Sequence, residues 1–183
     1  MKHATWTCVC GSVEAELPSA GNHLVCYCES CRGFVEQLGK GDRLDAAGGS
    51  ALFQVSPDQV RFTKGAEHLR WMKLSPKGPM RWYTACCNTP MANTLANRAI
   101  AFASFQVHDI APQDALAEVS ARVHLKGALA HVEGRTGGIG PLLASLLGRS
   151  AKSWVTGAWK RNPFFDASGT PIGPREDPVP SSG

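Results

Sequence analysis

The sequence predicts a mainly β fold with an α-helical C-terminal extension, on three observations. Up to residue 110, short runs rich in β-branched and aromatic residues alternate with turn signals. From residue 111 the apolar residues fall at helical intervals. From residue 166 the chain is dominated by Pro, Gly and Ser. The expected organisation is a β domain over 1–110, a helical extension packed on it over 111–165, and a disordered tail over 166–183.

The elements follow in order. WTCVCGSVEAELP reads as strand, tight turn and strand, broken at Gly11. HLVCYC, residues 23–28, is a strand running into a turn. In ESCRGFVEQL, the spacing of Phe34, Val35 and Leu38 predicts a short helix. Gly39, Gly41, Gly48 and Gly49 mark a loop. ALFQV and QVRFT are strands joined by the turn Ser56-Pro57-Asp58, and HLRWMKL is a strand before the turn SPKGP. MRWYTACCNTPMANT passes from strand into loop, and AIAFASFQV is a buried strand. Trp71, Trp82 and Tyr83 are read as β core. Pro112 opens a helix whose apolar face is Ala115, Leu116, Val119, Val123 and Leu125. PLLASLLGRSAKSWVTGAWKR is a second helix.

Composition narrows the function classes. The chain has 183 residues, enough for a core that needs no disulfides. The net charge of +4 comes without the basic runs of a nucleic-acid binder, so no nucleic-acid partner is expected. No apolar run is long enough for a membrane span or a signal peptide. The expected compartment is the cytoplasm, where thiols stay reduced. RTGGIG, residues 135–140, lacks the spacing of a phosphate loop and follows a predicted helix rather than a strand.

The cysteines carry the chemistry. There are seven, an odd number, in three tight clusters: Cys8/Cys10, Cys26/Cys28/Cys31 and Cys86/Cys87. On a strand, residues two apart share a face, so Cys8 and Cys10 project together, as do Cys26 and Cys28. A turn or a first helical turn returns Cys31 to the same side. Cys26, Cys28 and Cys31 can therefore offer three thiolates to one ion, with zinc the best fit and one coordination position left open. Cys8 and Cys10 find further donors in Cys86 and Cys87, giving a second, closed site of four thiolates. Adjacent strand residues face opposite ways, so Cys86 and Cys87 can share an ion only if the chain turns between them; otherwise one of them is simply buried. Two other readings stand beside metal binding. Cys28-Glu29-Ser30-Cys31 is formally a dithiol redox motif, and isolated cysteines behave as small buried hydrophobes. The histidines are scattered; His23 is nearest the trio in sequence.

CVCG at 8–11, CYCESCR at 26–32 and CCNTPM at 86–91 together resemble the glutathione-dependent formaldehyde-activating enzyme family, which includes the centromere protein V-like proteins. That family's pattern is CxCG, CxCxxCR and CxxCGTPL. The resemblance covers residues 8–91 and is strongest in the middle motif, including Arg32. It implies a zinc-binding β-tent fold, a structural zinc on the outer motifs, and a catalytic zinc on Cys26, Cys28 and Cys31. It also implies a carbon–sulfur lyase acting on adducts of a small thiol, such as glutathione, with an aldehyde such as formaldehyde. The third motif departs from the pattern. Thr84 falls at the family's first cysteine, Cys87 at its second and Asn88 at its glycine. Either Cys86 substitutes as a ligand through altered backbone, or the structural zinc is distorted or missing. Arg32, Lys40 and Arg43 are the candidate cations to offset the negative charge of a three-thiolate zinc site. The competing reading is a zinc-stabilised binding module without turnover.

Overall fold

The computed structural model describes residues 4–134 and 138–176. His3, the first half of RTGGIG and the end of the tail lie outside these residues.

Two sheets form the body. A four-stranded antiparallel sheet has the order β10 (Ile110–Ala111), β1 (Ala4–Thr7), β2 (Glu14–Leu17) and β5 (Arg61–Lys64). A seven-stranded sheet runs β11 (Ala121–Val123), β3 (Asn22–Cys26), β4 (Ser50–Val55), β9 (Ala103–Gln106), β8 (Thr89–Thr94), β7 (Met80–Thr84), β6 (Leu69–Met72). All its pairs are antiparallel except β11 with β3. The predicted mainly β character is what the chain adopts. No described helix is long and apolar enough to cross a membrane.

Strand periodicity sorts the side chains onto two faces of the large sheet. Phe53 and Val55 of β4, Met80 and Trp82 of β7, and Phe105 of β9 face the small sheet, where Trp6, Ala15 and Leu17 meet them in one buried cluster. The alternate residues face the other way: Leu24 and Cys26 of β3, Leu52 and Gln54 of β4, Arg81 of β7, Asn93 of β8 and Ser104 of β9. This second face is covered at one end by α1 (Glu29–Gln37), whose Phe34 packs on Met72 and Tyr83. At the other end α2 (Ile139–Val155) lays Leu142 against Leu24, Leu52 and Val123.

The C-terminal part differs from the sequence expectation in two places. The predicted helix after Pro112 does not form. Residues 113–115 and 125–127 are single 3-10 turns, and between them lies strand β11. Ala121 and Val123 are two residues apart and both buried, a strand spacing that pairing with β3 rewards. Tertiary pairing outweighs helical propensity here. The described part of the expected disordered tail, 166–176, is held by specific bonds. Trp71 donates from its indole nitrogen to Gly173 O at 3.0 Å, and Tyr83 donates its hydroxyl proton to the Glu176 carboxylate. Phe164, just before it, is fully buried among Phe62, Trp82 and Phe105.

Candidate metal centres

The two cysteine groups come together as two thiol clusters. Within each, the sulfurs all lie within 4.8 Å of one another.

In the four-cysteine cluster, Cys8 and Cys10 lie in the turn between β1 and β2, not on a strand. The turn, closed by Gly11 N–H on Cys8 O at 2.8 Å, gives them a common direction. Cys86 and Cys87 lie in the turn between β7 and β8, which Asn88 leaves with a left-handed φ of 52°. Asparagine tolerates that region better than most non-glycine residues, so it can stand where a glycine is the easier choice. The chain thus turns at the adjacent pair, removing the strand-facing obstacle. Cys8–Cys10, Cys10–Cys86, Cys8–Cys86 and Cys86–Cys87 sulfurs are 3.6, 3.3, 4.0 and 3.8 Å apart. Tetrahedral ligands about 2.3 Å from an ion stand about 3.8 Å from each other, so the four thiols fit a metal. Thr84 is no ligand: its fully buried hydroxyl lies 3.3 Å from Cys87 Sγ. Cys86 supplies the sulfur instead. Burial raises the Cys87 thiol, but hydrogen bonds from the Thr84 and Thr89 hydroxyls bring it down to about 6.

The three-cysteine cluster sits where β3 gives way to α1. Cys26 is the last residue of β3, Cys28 is the N-cap of α1, and Cys31 lies in the first turns of the helix. Cys28 Sγ receives the Cys31 N–H at 3.4 Å and stands 3.4 Å from Cys26 Sγ. The Cys26 S–H bond holds Cys28 well below the ordinary thiol range, aided by the Cys31 N–H and the nearby Arg81. Cys26, as the donor, is pushed far up. Thiolate character therefore concentrates on Cys28, at a helix N-terminus that favours it. The loop after β11 buttresses the cluster. A Cβ on Gly127 would lie 2.3 Å from Tyr27 O, so only glycine fits there, and Arg32 donates to Gly127 O at 2.9 Å.

The cation beside this cluster is Arg81, which the sequence reading did not single out. It is 2% exposed. Its Nη1 donates to Cys31 Sγ at 3.6 Å and to Asn93 Oδ1 at 2.9 Å, and its Nη2 donates to Ser30 Oγ at 2.6 Å. Its guanidinium lies over the Phe34 ring at 5.5 Å. No carboxylate pairs with it among the described residues. A lone arginine in MRWYT gives one signal: strand alternation puts it on the face opposite Met80 and Trp82, where a charge needs a partner. Of the predicted cations, Arg43 pairs with Asp109, and Arg32 is spent on the Gly127 loop. His23 bonds Ala117 O through Nδ1 at 2.8 Å, remote from any thiol contact.

Cys26, Cys28 and Cys31 open into a cavity of about 400 Å³ on the outer face of the large sheet. Leu24, Leu52, Phe102, Val123, Leu142 and Leu146 supply most of its wall. Ser30, Arg81 and Asn93 are its polar groups near the thiols.

A family described as a family of unknown function (DUF6151) matches residues 1–157. A crystal structure of a Rhodobacter sphaeroides protein, a structural genomics target, is similar at 20% identity and a TM-score of 0.44. It covers 60% of this chain and 93% of that chain. The search of curated proteins finds no match.

Proposed function

The chain belongs to the DUF6151 family, and from its thiol geometry we propose a two-zinc, carbon–sulfur lyase-type enzyme that joins or separates a small thiol and an aldehyde. The observation that carries this reading is the Cys26/Cys28/Cys31 cluster opening into an apolar-walled cavity beside a buried arginine. The four-cysteine cluster is the structural site, with every sulfur committed. The motif resemblance to the glutathione-dependent formaldehyde-activating enzymes supports the same assignment, and with it a β-tent fold.

The reaction is addition of a thiol across a carbonyl. A carbon–sulfur bond forms, the carbon–oxygen π bond breaks, and the thiol proton ends on the oxygen; the reverse step cleaves the adduct. A zinc ion at the trio would supply Lewis acidity, which lowers the pKa of a neighbouring thiol. This chain's residues do the rest. Cys26, Cys28 and Cys31 would hold the ion with three negative charges, which would leave one excess charge on the centre. Arg81 sits where it offsets that charge. Ser30 Oγ and Asn93 Oδ1 hold the guanidinium in place, so its positive charge is fixed beside the thiols. The leucine wall surrounds the thiols with apolar surface.

Formaldehyde labelled with ¹³C and mixed with a thiol exchanges slowly between free and adduct pools, and exchange NMR reads the rate. The expected result is faster exchange with the zinc-loaded protein, lost in Cys28→Ser. Exchange at the uncatalysed rate in a fully zinc-loaded sample would reject the enzyme. A second reading then takes its place, because α2 exposes Leu147 (69%), Trp154 (69%) and Val155 (88%), a face suited to a zinc-stabilised binding module.

A further inference from the structure

We infer that the cavity beside Cys26, Cys28 and Cys31 takes a small apolar thiol, alkyl or aryl, rather than glutathione. The inference rests on the thiol–aldehyde reading above and names the substrate class of that site. It follows from what the walls offer. Three strands contribute Leu24, Leu52 and Ser104, and α2 closes the roof with Ile139, Leu142, Leu143 and Leu146. The volume of about 400 Å³ is at the small end for ligand pockets, which run from about 300 to 1,000 Å³.

Glutathione at neutral pH carries two carboxylates and an ammonium. No carboxylate side chain lines the cavity, so the ammonium has no ionic partner there among the described residues. The cationic side chains on the lining are Lys77 and Arg81, with His124 as a third nitrogen base. Arg81 is already bonded to Ser30, Asn93 and Cys31. Lys77 then leaves only His124 for the second glutathione carboxylate, and a carboxylate against leucine is costly without a partner. An apolar tail meets the opposite condition: the leucine wall removes it from water while its sulfur reaches the cysteine end. Arg81, Ser30 and Asn93 lie at that same end, so a polar head and an apolar tail are both accommodated in one orientation.

The test is calorimetric titration of the full-length reduced protein, zinc-loaded and metal-free, with phenylmethanethiol, phenylmethanol and glutathione. Metal content is measured on the same samples. The expected result is phenylmethanethiol binding at least about tenfold tighter than glutathione, as burial of an aromatic ring predicts. Leu143 is 51% exposed and lines the roof, so Leu143→Lys leaves the fold intact. It is expected to weaken phenylmethanethiol severalfold and to leave glutathione unchanged or stronger. Phenylmethanol binding more weakly than the thiol in the zinc-loaded protein, but equally in the metal-free one, supports the sulfur's placement. Glutathione binding as tightly as the apolar thiol, or an apolar thiol that fails to bind a zinc-loaded trio, overturns the inference while leaving the metal site standing. A trio that takes up no zinc on loading, in a protein that still prefers the apolar ligand, sinks the lyase reading and leaves the apolar occupant in place.

Discussion

Arg81 is the buried cation beside the trio, and the proposed chemistry depends on it. A divalent zinc held by three thiolates leaves the cluster with a net charge of about −1. A guanidinium 2% exposed and 3.6 Å from Cys31 Sγ stabilises that negative charge. Arg81→Gln removes that charge and keeps a hydrogen-bonding side chain. It should weaken zinc at the trio about 10–100-fold, the usual range for a group behind metal ligands, and leave the four-cysteine site unchanged. Competition with a chromogenic chelator measures both affinities; an unaltered trio would show that Arg81 serves packing alone. The cysteines themselves were legible in the sequence, because thiols two or three residues apart have few purposes other than sharing an ion. Arg81 was not, because the thiols it serves are about 50 residues away and only the β7 register brings them near. Cys86 was half legible: its adjacency to Cys87 looked unfavourable until the turn ending at Asn88 is seen to present both sulfurs.

At the scale of elements, the strands announced themselves and the C-terminal part did not. Strands such as β4 and β7 bury one or both faces and keep β-branched or aromatic residues between turn residues. Residues 113–127 carry apolar side chains at spacings that also suit a helix, and only the vacant edge of β3 selects strand β11. α2 was legible in PLLASLLGRSAKSWVTGAWKR, but the helix ends at Val155 and the chain turns at Gly157, φ 69°, before that stretch is out. The segment that follows looked like a tail because Pro, Gly and Ser dominate it. Its ordering comes from bonds to β6 and β7 that composition does not reveal. Phe164 anchors that segment in the aromatic core, with ring centroids 5.1 Å from Trp82 and 5.4 Å from Phe62. Phe164→Ala should therefore cost about 3–5 kcal/mol in urea unfolding, as large aromatic deletions from cores do. A cost under about 1 kcal/mol would mean the segment only rests on the core.

Over the whole molecule, the two thiol clusters occupy different structural situations. The four-cysteine cluster draws two thiols from the small sheet's β1–β2 turn and two from the large sheet's β7–β8 turn. An ion held there ties one sheet to the other. The trio lies on the outer face of the large sheet, on a single stretch of chain, and opens to a cavity. That division matches a closed structural site and an open reactive one. Structural zinc binds zinc-finger peptides with about 10–16 kcal/mol, comparable to the whole stability of a domain at about 5–15 kcal/mol, so occupancy is no minor matter for this fold. The most direct measurement is the zinc content per chain of the reduced protein by elemental analysis, for wild type, Cys28→Ser and Cys10→Ser. Two ions in wild type, falling to one in each variant, is the predicted result. Wild-type protein without zinc, or zinc content untouched by Cys28→Ser, would contradict a metal centre at Cys26, Cys28 and Cys31.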